Sequence, residues 1–203
     1  RSTLLVIIKD DVLYSQITLK TNGGGAVLRG KKLGKDIGTK KQYLAKEGQF
    51  IMSKIDARNG AFGVVTKDID NAIVTGDFPL FDVDVEKINP FYLYLLSSTQ
   101  PFVQYAQSCS RGTTNRQRID MNAFLSQQIP LPSLDEQTKI VAAYNDAISL
   151  ADLRVQQVKD IDEQIVSYWQ ESLGVEKLIE RDKKKKGYMQ FCPFRCIEKW
   201  GYD

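Results

Sequence analysis

The chain has 203 residues, 42% of them hydrophobic and 26% charged, with a net charge of +3 and no histidine. The absence of histidine excludes Ser-His-Asp and Cys-His catalysis and the common histidine-containing zinc sites. No apolar run approaches the roughly 20 residues of a membrane span and no secretory signal opens the chain, so a cytoplasmic protein without membrane contact is expected.

The length suits one domain plus an appendage, or two small domains. Arg1 stands directly before a strand-like apolar run at residues 3–8, which reads as part of something longer. Residues 12–19 form a β-branched, partly alternating run, and Asn22-Gly-Gly-Gly25 breaks it. Residues 20–42 carry Lys20, Arg29, Lys31, Lys32, Lys35, Lys40 and Lys41 against Asp36 alone, a local excess far above the modest net charge. Glycine-rich or hydroxyl-rich loops are expected there, able to offer side chains and backbone N–H groups to phosphates. Further strands are predicted at 49–55, 61–65, 72–74 and 80–85. Between the first two, residues 56–60 form a turn in which Asn59-Gly60 favours positive φ. Asp56 and Asn59 would bond local backbone, Ile55 would point into the sheet core, and Lys54 and Arg58 would be left free.

Helical signals follow. Asn89-Pro90 is an N-cap with proline at the first helical position, leading into residues 91–98. Pro101 opens a second short helix to about 108, and Asp120 caps a third over 121–127. Between these, Arg111, Arg116 and Arg118 form a second basic cluster with no intervening acid. Pro130 and Pro132 impose an extended connector. Ser133 or Asp135 then caps a helix predicted over about 135–173, ended by Gly174. Ile140, Tyr144, Ala147, Ala151, Val155, Val158, Ile161, Ile165 and Trp169 make a narrow coiled-coil-like stripe on it. At 1.5 Å per residue such a helix is about 58 Å long, and its stripe calls for a second long helix as cover. Beyond it, Lys183–Lys186 beside Gly187 reads as a linker, and residues 194–202 could open a further domain.

Sequences that imitate catalytic motifs fail on detail. Asn89-Pro-Phe-Tyr92 approaches a motif of amino-methyltransferases, but its third position is Phe and no glycine-rich cofactor loop precedes it. Residues 30–36 resemble a phosphate loop with the wrong spacing and Asp36 in place of Ser or Thr. Asp82, Asp84, Glu86 and Lys87 alternate at a strand end without nuclease spacing. Cys109, Cys192 and Cys196 form neither a four-ligand zinc site nor a disulfide framework, and reduced thiols are expected. No catalytic residue, metal or cofactor is predicted.

Ile129-Pro-Leu-Pro-Ser-Leu-Asp-Glu-Gln137 with Ile140-Val141 is similar to the segment that closes the target-recognition domain in specificity subunits of type I restriction–modification systems. Four earlier segments resemble that family in the same order: residues 48–63, residues 72–81, Asn89-Pro-Phe-Tyr-Leu-Tyr-Leu-Leu96, and Arg111-Gly-Thr-Thr-Asn-Arg-Gln-Arg-Ile119. The likeness covers about residues 12–173. It implies an α+β chain: a mixed target-recognition domain rich in short strands over 1–133, then a long coiled-coil-type spacer helix over 134–174. Residues 175–203 would be a linker and the possible start of a second recognition unit. It implies a non-catalytic subunit that reads one half of a bipartite site in double-stranded DNA. Methyltransferase subunits would dock on it, the restriction subunit would join through the complex, and a second recognition unit would associate through helix pairing. Lys20, Asn22, Arg29, Lys31, Lys32, Lys40, Lys41, Gln42, Lys54, Arg58, Arg111, Thr113, Thr114, Asn115 and Arg116 are the candidate DNA contacts. The specificity portion of a single-chain restriction–methylation enzyme, or a coiled-coil protein–protein adaptor, remains an alternative.

Overall fold

The β-branched run beginning at Leu13 needs a partner on each hydrogen-bonding edge, and the sheet is built around it. In the computed structural model, which describes residues 4–112 and 117–173, the strands are β1 (Leu5–Ile7), β2 (Leu13–Leu19), β3 (Ala26–Leu33), β4 (Lys41–Leu44), β5 (Phe50–Met52), β6 (Phe62–Val64), β7 (Ile73–Val74) and β8 (Leu80–Phe81). One sheet has the order β1-β4-β7-β2-β3, antiparallel except where β2 meets β7 at Gln16 and Ile73. A second, antiparallel sheet has the order β6-β5-β8. Helices follow the strands, so the chain is α+β with short strands and a long C-terminal helix, as the sequence predicts.

The basic loop expected over residues 20–42 is mostly strand. Arg29, Lys31 and Lys32 lie within β3, and Lys41 opens β4. The hydrogen-bonding demand of β2 is met by a long hairpin with β3. Gly30, at φ 146°, absorbs an irregularity in it: Gln16 pairs with Gly30 while Ile17 pairs with Leu28. Arg29 is therefore the extra residue of a bulge, with no partner across the ladder.

The turn after β5 is a 3-10 turn, Ala57–Asn59, closed by Gly60 at φ 74°. Here the positive φ read from Asn59-Gly60 is present. Ser53 Oγ, and not an Asp56 or Asn59 side chain, accepts the backbone N–H groups of Ile55 and Asp56 at 3.3 and 3.0 Å. Ile55 is only half-buried, and Ala57 fills the core position instead.

Asn89 Oδ1 accepts the Phe91 N–H at 2.9 Å and starts α1 (Pro90–Ser97), with α2 (Gln100–Ser108) behind it. A two-stranded ribbon, β9 (Ser110–Arg111) with β10 (Arg118–Ile119), follows. Asp120 Oδ1 then accepts from Asn122 and Ala123 to cap α3 (Met121–Leu125). Helix α4 (Leu134–Leu173) starts with a reciprocal cap. Ser133 Oγ accepts the Glu136 N–H at 3.3 Å while Glu136 Oε2 accepts the Ser133 N–H at 3.0 Å.

Burial explains why these elements hold together. One cluster joins the two sheets, packing Ile17 of β2 with Ile51 of β5 and Leu80 of β8, together with Ala45, Val65 and Ile69 from the connections. A second cluster joins β5 and β6 to the helices through aromatic rings. Phe62 is fully buried, stacked at 6.0 Å on Phe124 and edge-on at 5.4 Å to Phe102. Removing such a ring costs roughly 3–5 kcal/mol. Cys109 is a buried free thiol in the same cluster. Gly63 lets β6 approach the hairpin, since a Cβ there would stand 2.6 Å from the Ala26 nitrogen.

The chain divides into two compact units, Arg1–Asn145 and Asp146–Asp203. The first turns of α4 belong to the first unit. In the second, residues 146–172 are helical with every side chain exposed. Among the described residues no helix is long and apolar enough to cross a membrane.

Candidate nucleic-acid interface

The DNA contacts predicted within residues 20–42 gather near the two ends of the β2–β3 hairpin. At one end lie Lys31 and Lys32, opposite Ser15 and Tyr14, and both are exposed. Lys40 Nζ is close to this end, because it reaches the Gly34 carbonyl just past β3 at 2.7 Å and Asp10 at 2.6 Å. Lys40 is thus a tether between the end of the hairpin and the segment after β1, and two of its three donors are committed. Lys41 is exposed beside it, opposite Ile7. Gln42 is buried, and its Nε2 donates to the Thr39 carbonyl at 3.0 Å. The geometry assigns Gln42 to the local turn and removes it from the exposed set, a position that side-chain type alone could not show.

The other group gathers at the hairpin tip, about 20 Å away at the rise of six strand residues. Lys20 is exposed there and Asn22 takes φ 55°. The tip is locked to the 3-10 turn by two backbone bonds, Asn22 N–H to the Asn59 carbonyl at 2.8 Å and Gly23 N–H to the Gly60 carbonyl at 3.2 Å. The Tyr94 hydroxyl of α1 donates to the Gly23 carbonyl. Gln107 Nε2 of α2 donates to the Arg58 carbonyl at 2.9 Å.

Between these segments lies a groove of about 360 Å³ lined by Asn22, Gly23, Arg58, Asn59, Ser98, Gln100, Val103 and Gln107. Of its lining, only Val103 has an apolar side chain. Asn59, Ser98, Gln100 and Gln107 are not among the DNA contacts expected from sequence, where Asn59 is assigned to the turn alone. Their signal is a cluster of uncharged amides that becomes visible only when the turn, the hairpin tip and α2 converge.

Arg58 is less free than predicted. Its Nη1 donates to Gln117 Oε1 at 2.9 Å, and among the described residues its buried Nε has no partner. Lys54 is half-buried, and its backbone bonds Asp77 and Ile119. Arg111 is 79% exposed and stands 3.9 Å from Asp120, a weak pairing. Arg118 is the better-paired arginine, at 3.2 Å from Asp77. Thr113, Thr114, Asn115 and Arg116 lie outside the described residues.

The strand-end carboxylates are occupied locally. Asp82 accepts from Gln49 at 2.7 Å. Lys87 beside Asp84 holds that carboxyl below its ordinary range. They stand on the rim of an apolar cleft of about 280 Å³ lined by Phe50, Phe81, Val83, Leu93, Phe102 and neighbours. Among the described residues no His, Cys, Asp and Glu cluster could hold a metal ion.

On α4, the predicted stripe is solvent-facing: Val155, Val158, Ile161, Ile165 and Trp169 are each about half exposed or more. Ile140 and Tyr144 lie in the first unit, Tyr144 beside Phe91, Tyr94 and Leu95 of α1. A strict alternation of 3 and 4 refines the stripe to Val141, Tyr144, Ile148, Ala151, Val155, Val158, Asp162, Ile165 and Trp169. Ile140, Ala147 and Ile161 sit one residue, about 100°, off this line. The refined seam carries one charge, Asp162.

Comparison with known proteins agrees with this architecture. Residues 8–160 match the model of the type I restriction modification DNA specificity domain. The HindI type I restriction enzyme specificity subunit of Haemophilus influenzae is 27% identical over 144 residues, 66% of this chain and 30% of that protein. The crystal structure of the HsdS subunit from Thermoanaerobacter tengcongensis superposes with TM-score 0.59 at 17% identity, covering 91% of this chain and 46% of that one. A chain from a structure of type I R-M complex assembly and conformational transition gives 0.56 at 18% identity, with the same coverage. The chain therefore spans less than half the length of these relatives.

Proposed function

Since the chain belongs to the type I restriction modification DNA specificity domain family, we propose that its strand-rich unit reads one half of a bipartite site in double-stranded DNA. Exposed Arg29, Lys31 and Lys32 on the edge strand β3, with Lys41 at the start of β4, supply sequence-independent phosphate contacts, while the hairpin tip and the turn beside it supply the base contacts. The observation that carries this reading is the placement of side chains along one hairpin: Arg29, Lys31 and Lys32 are exposed on β3, and a groove rich in hydrogen-bonding side chains lies at the backbone-locked tip. Positioning and reading are separate tasks, and in this proposal they fall to separate residues.

The α4 seam pairs with a second long helix belonging to another recognition unit, and this unit is a docking surface for methyltransferase subunits, through which the restriction subunit joins. The exposed apolar stripe supports this half of the reading. The subunit itself contributes recognition and no catalytic group.

Titration of the chain with duplex DNA at several salt concentrations tests the proposal. A linear fall of log affinity with log salt is expected, with a slope near −0.9 per phosphate contacted. A coiled-coil adaptor that uses its lysines only for hydration gives no binding and no slope.

A further inference from the structure

Five side chains that can donate or accept hydrogen bonds are exposed around the groove at the hairpin tip: Asn22, Asn59, Ser98, Gln100 and Gln107. They come from three separate stretches of sequence. Nothing in the fold requires such a gathering, because the core of this unit is aromatic and aliphatic.

The framework beneath them is fixed. Asn22 and Asn59 are joined through the backbone at 2.8 Å, and Gln107 is tied to the Arg58 carbonyl at 2.9 Å. Tyr94 clamps Gly23 from below. The backbone that carries these side chains therefore keeps its position when a ligand arrives, and its share of the ordering entropy is already paid in folding.

Amide side chains have a defined match among nucleobases. One amide offers a donor and an acceptor in parallel, and in the major groove that pair complements adenine, whose N7 accepts and whose N6–H₂ donates. Guanine instead presents two acceptors, which suit a guanidinium. The guanidinium of the groove is Arg58, and Gln117 already engages it. We propose that this groove reads adenine edges, with Asn22 and Gln100 each supplying one amide to one adenine, and that the basic strand β3 contributes nothing to base choice. This rests on the DNA-reading function proposed above and assigns the specificity to particular residues.

The test is enrichment of bound duplexes from a randomised pool, comparing the natural chain with Asn22→Gly and Gln100→Ala. Glycine keeps the positive φ that Asn22 adopts, and Gln100 is exposed at the start of α2, so both variants retain the fold. The natural chain should enrich a motif with an A·T pair preferred about tenfold at one or more positions. Either variant should lose that preference at a single position while its affinity for random duplex stays within about twofold. A motif retained base for base in both variants overturns the proposal and leaves DNA reading intact. If the natural chain enriches no motif and binds random duplex without salt dependence, the DNA-reading function falls along with it. Should one variant melt early, the other decides.

Discussion

The side-chain oxygen of Gln137, in the first turn of α4, accepts the backbone N–H of Asn89 ahead of α1 at 2.7 Å. Its Nε2 donates to the carbonyls of Lys87 at 3.0 Å and Pro132 at 2.9 Å, and the side chain is fully buried. Together with the Tyr92 hydroxyl on the Pro130 carbonyl at 3.1 Å, it anchors the proline connector against α1. Gln137→Leu leaves these backbone groups without their partner in a site of similar volume. Each buried unsatisfied group costs about 1–3 kcal/mol, so an overall loss of about 3 kcal/mol is expected. Urea unfolding of the first unit, followed by fluorescence, measures it.

Lys31 and Lys40 separate binding from architecture. Lys31→Ala should weaken binding to all duplexes alike and lower the salt slope by about 0.9 if one phosphate contact is lost. Lys40→Ala should change the slope less and instead loosen the tie between Asp10 and the Gly34 carbonyl. Hydrogen exchange at Ile8, whose N–H bonds the Lys40 carbonyl, reports that loosening.

Arg58→Ala should lower thermal stability as well as DNA affinity. The bond from Arg58 to Gln117 links the 3-10 turn to β10, and its loss costs about 1–2 kcal/mol. An unchanged melting temperature would show that the link carries no stability.

Burial, and next the nearby Tyr144 phenol, push the Tyr94 phenol above its ordinary value of 10.0. The neutral phenol is thus favoured by the folded state. That stabilisation is complete below pH 10 and is lost as pH rises through the raised folded value. Tyr94→Phe should abolish this alkaline limb in a series of melting curves and also release the hairpin tip from α1.

Asp162 places a charge in an otherwise apolar seam. Asp162→Ile should strengthen self-association of the chain by at least about tenfold in sedimentation equilibrium. Val158→Asp with Ile165→Asp should abolish association while the first unit melts unchanged, because both positions lie in the second unit.

The helices were legible in the sequence because their signals are local. Asn89-Pro90, Asp120 and the Ser133–Asp135 stretch each sit at or within four residues of the helix they start, though only the structure selects Ser133 as the cap and pairs it with Glu136. The turn at Asn59-Gly60 was legible for the same reason. The assignment of Lys31 and Lys32 to a loop failed because strand pairing is a non-local demand: β3 exists to satisfy β2, and Gly30 reads as a breaker until the bulge is seen. Gln42 and Lys40 look like any exposed polar residues until tertiary contacts bury one and engage the other. Asn22 is a candidate from sequence, but its grouping with Asn59 and Gln107 is not legible there, since the three meet only across more than 30 residues of chain.

The bulge at Arg29 has a further consequence for life in a crowded solution. An open sheet invites a foreign strand onto each outer edge. On one side β1, among the described residues, offers Leu5–Ile7, a short template for a neighbour. On the other, β3 is interrupted by its unpaired Arg29 and followed by Lys31 and Lys32, so an incoming strand meets a broken ladder and repelling cations. The residues proposed to meet DNA phosphates would thereby also guard the sheet against aggregation, and neutralising them should expose the protein to strand-on-strand growth.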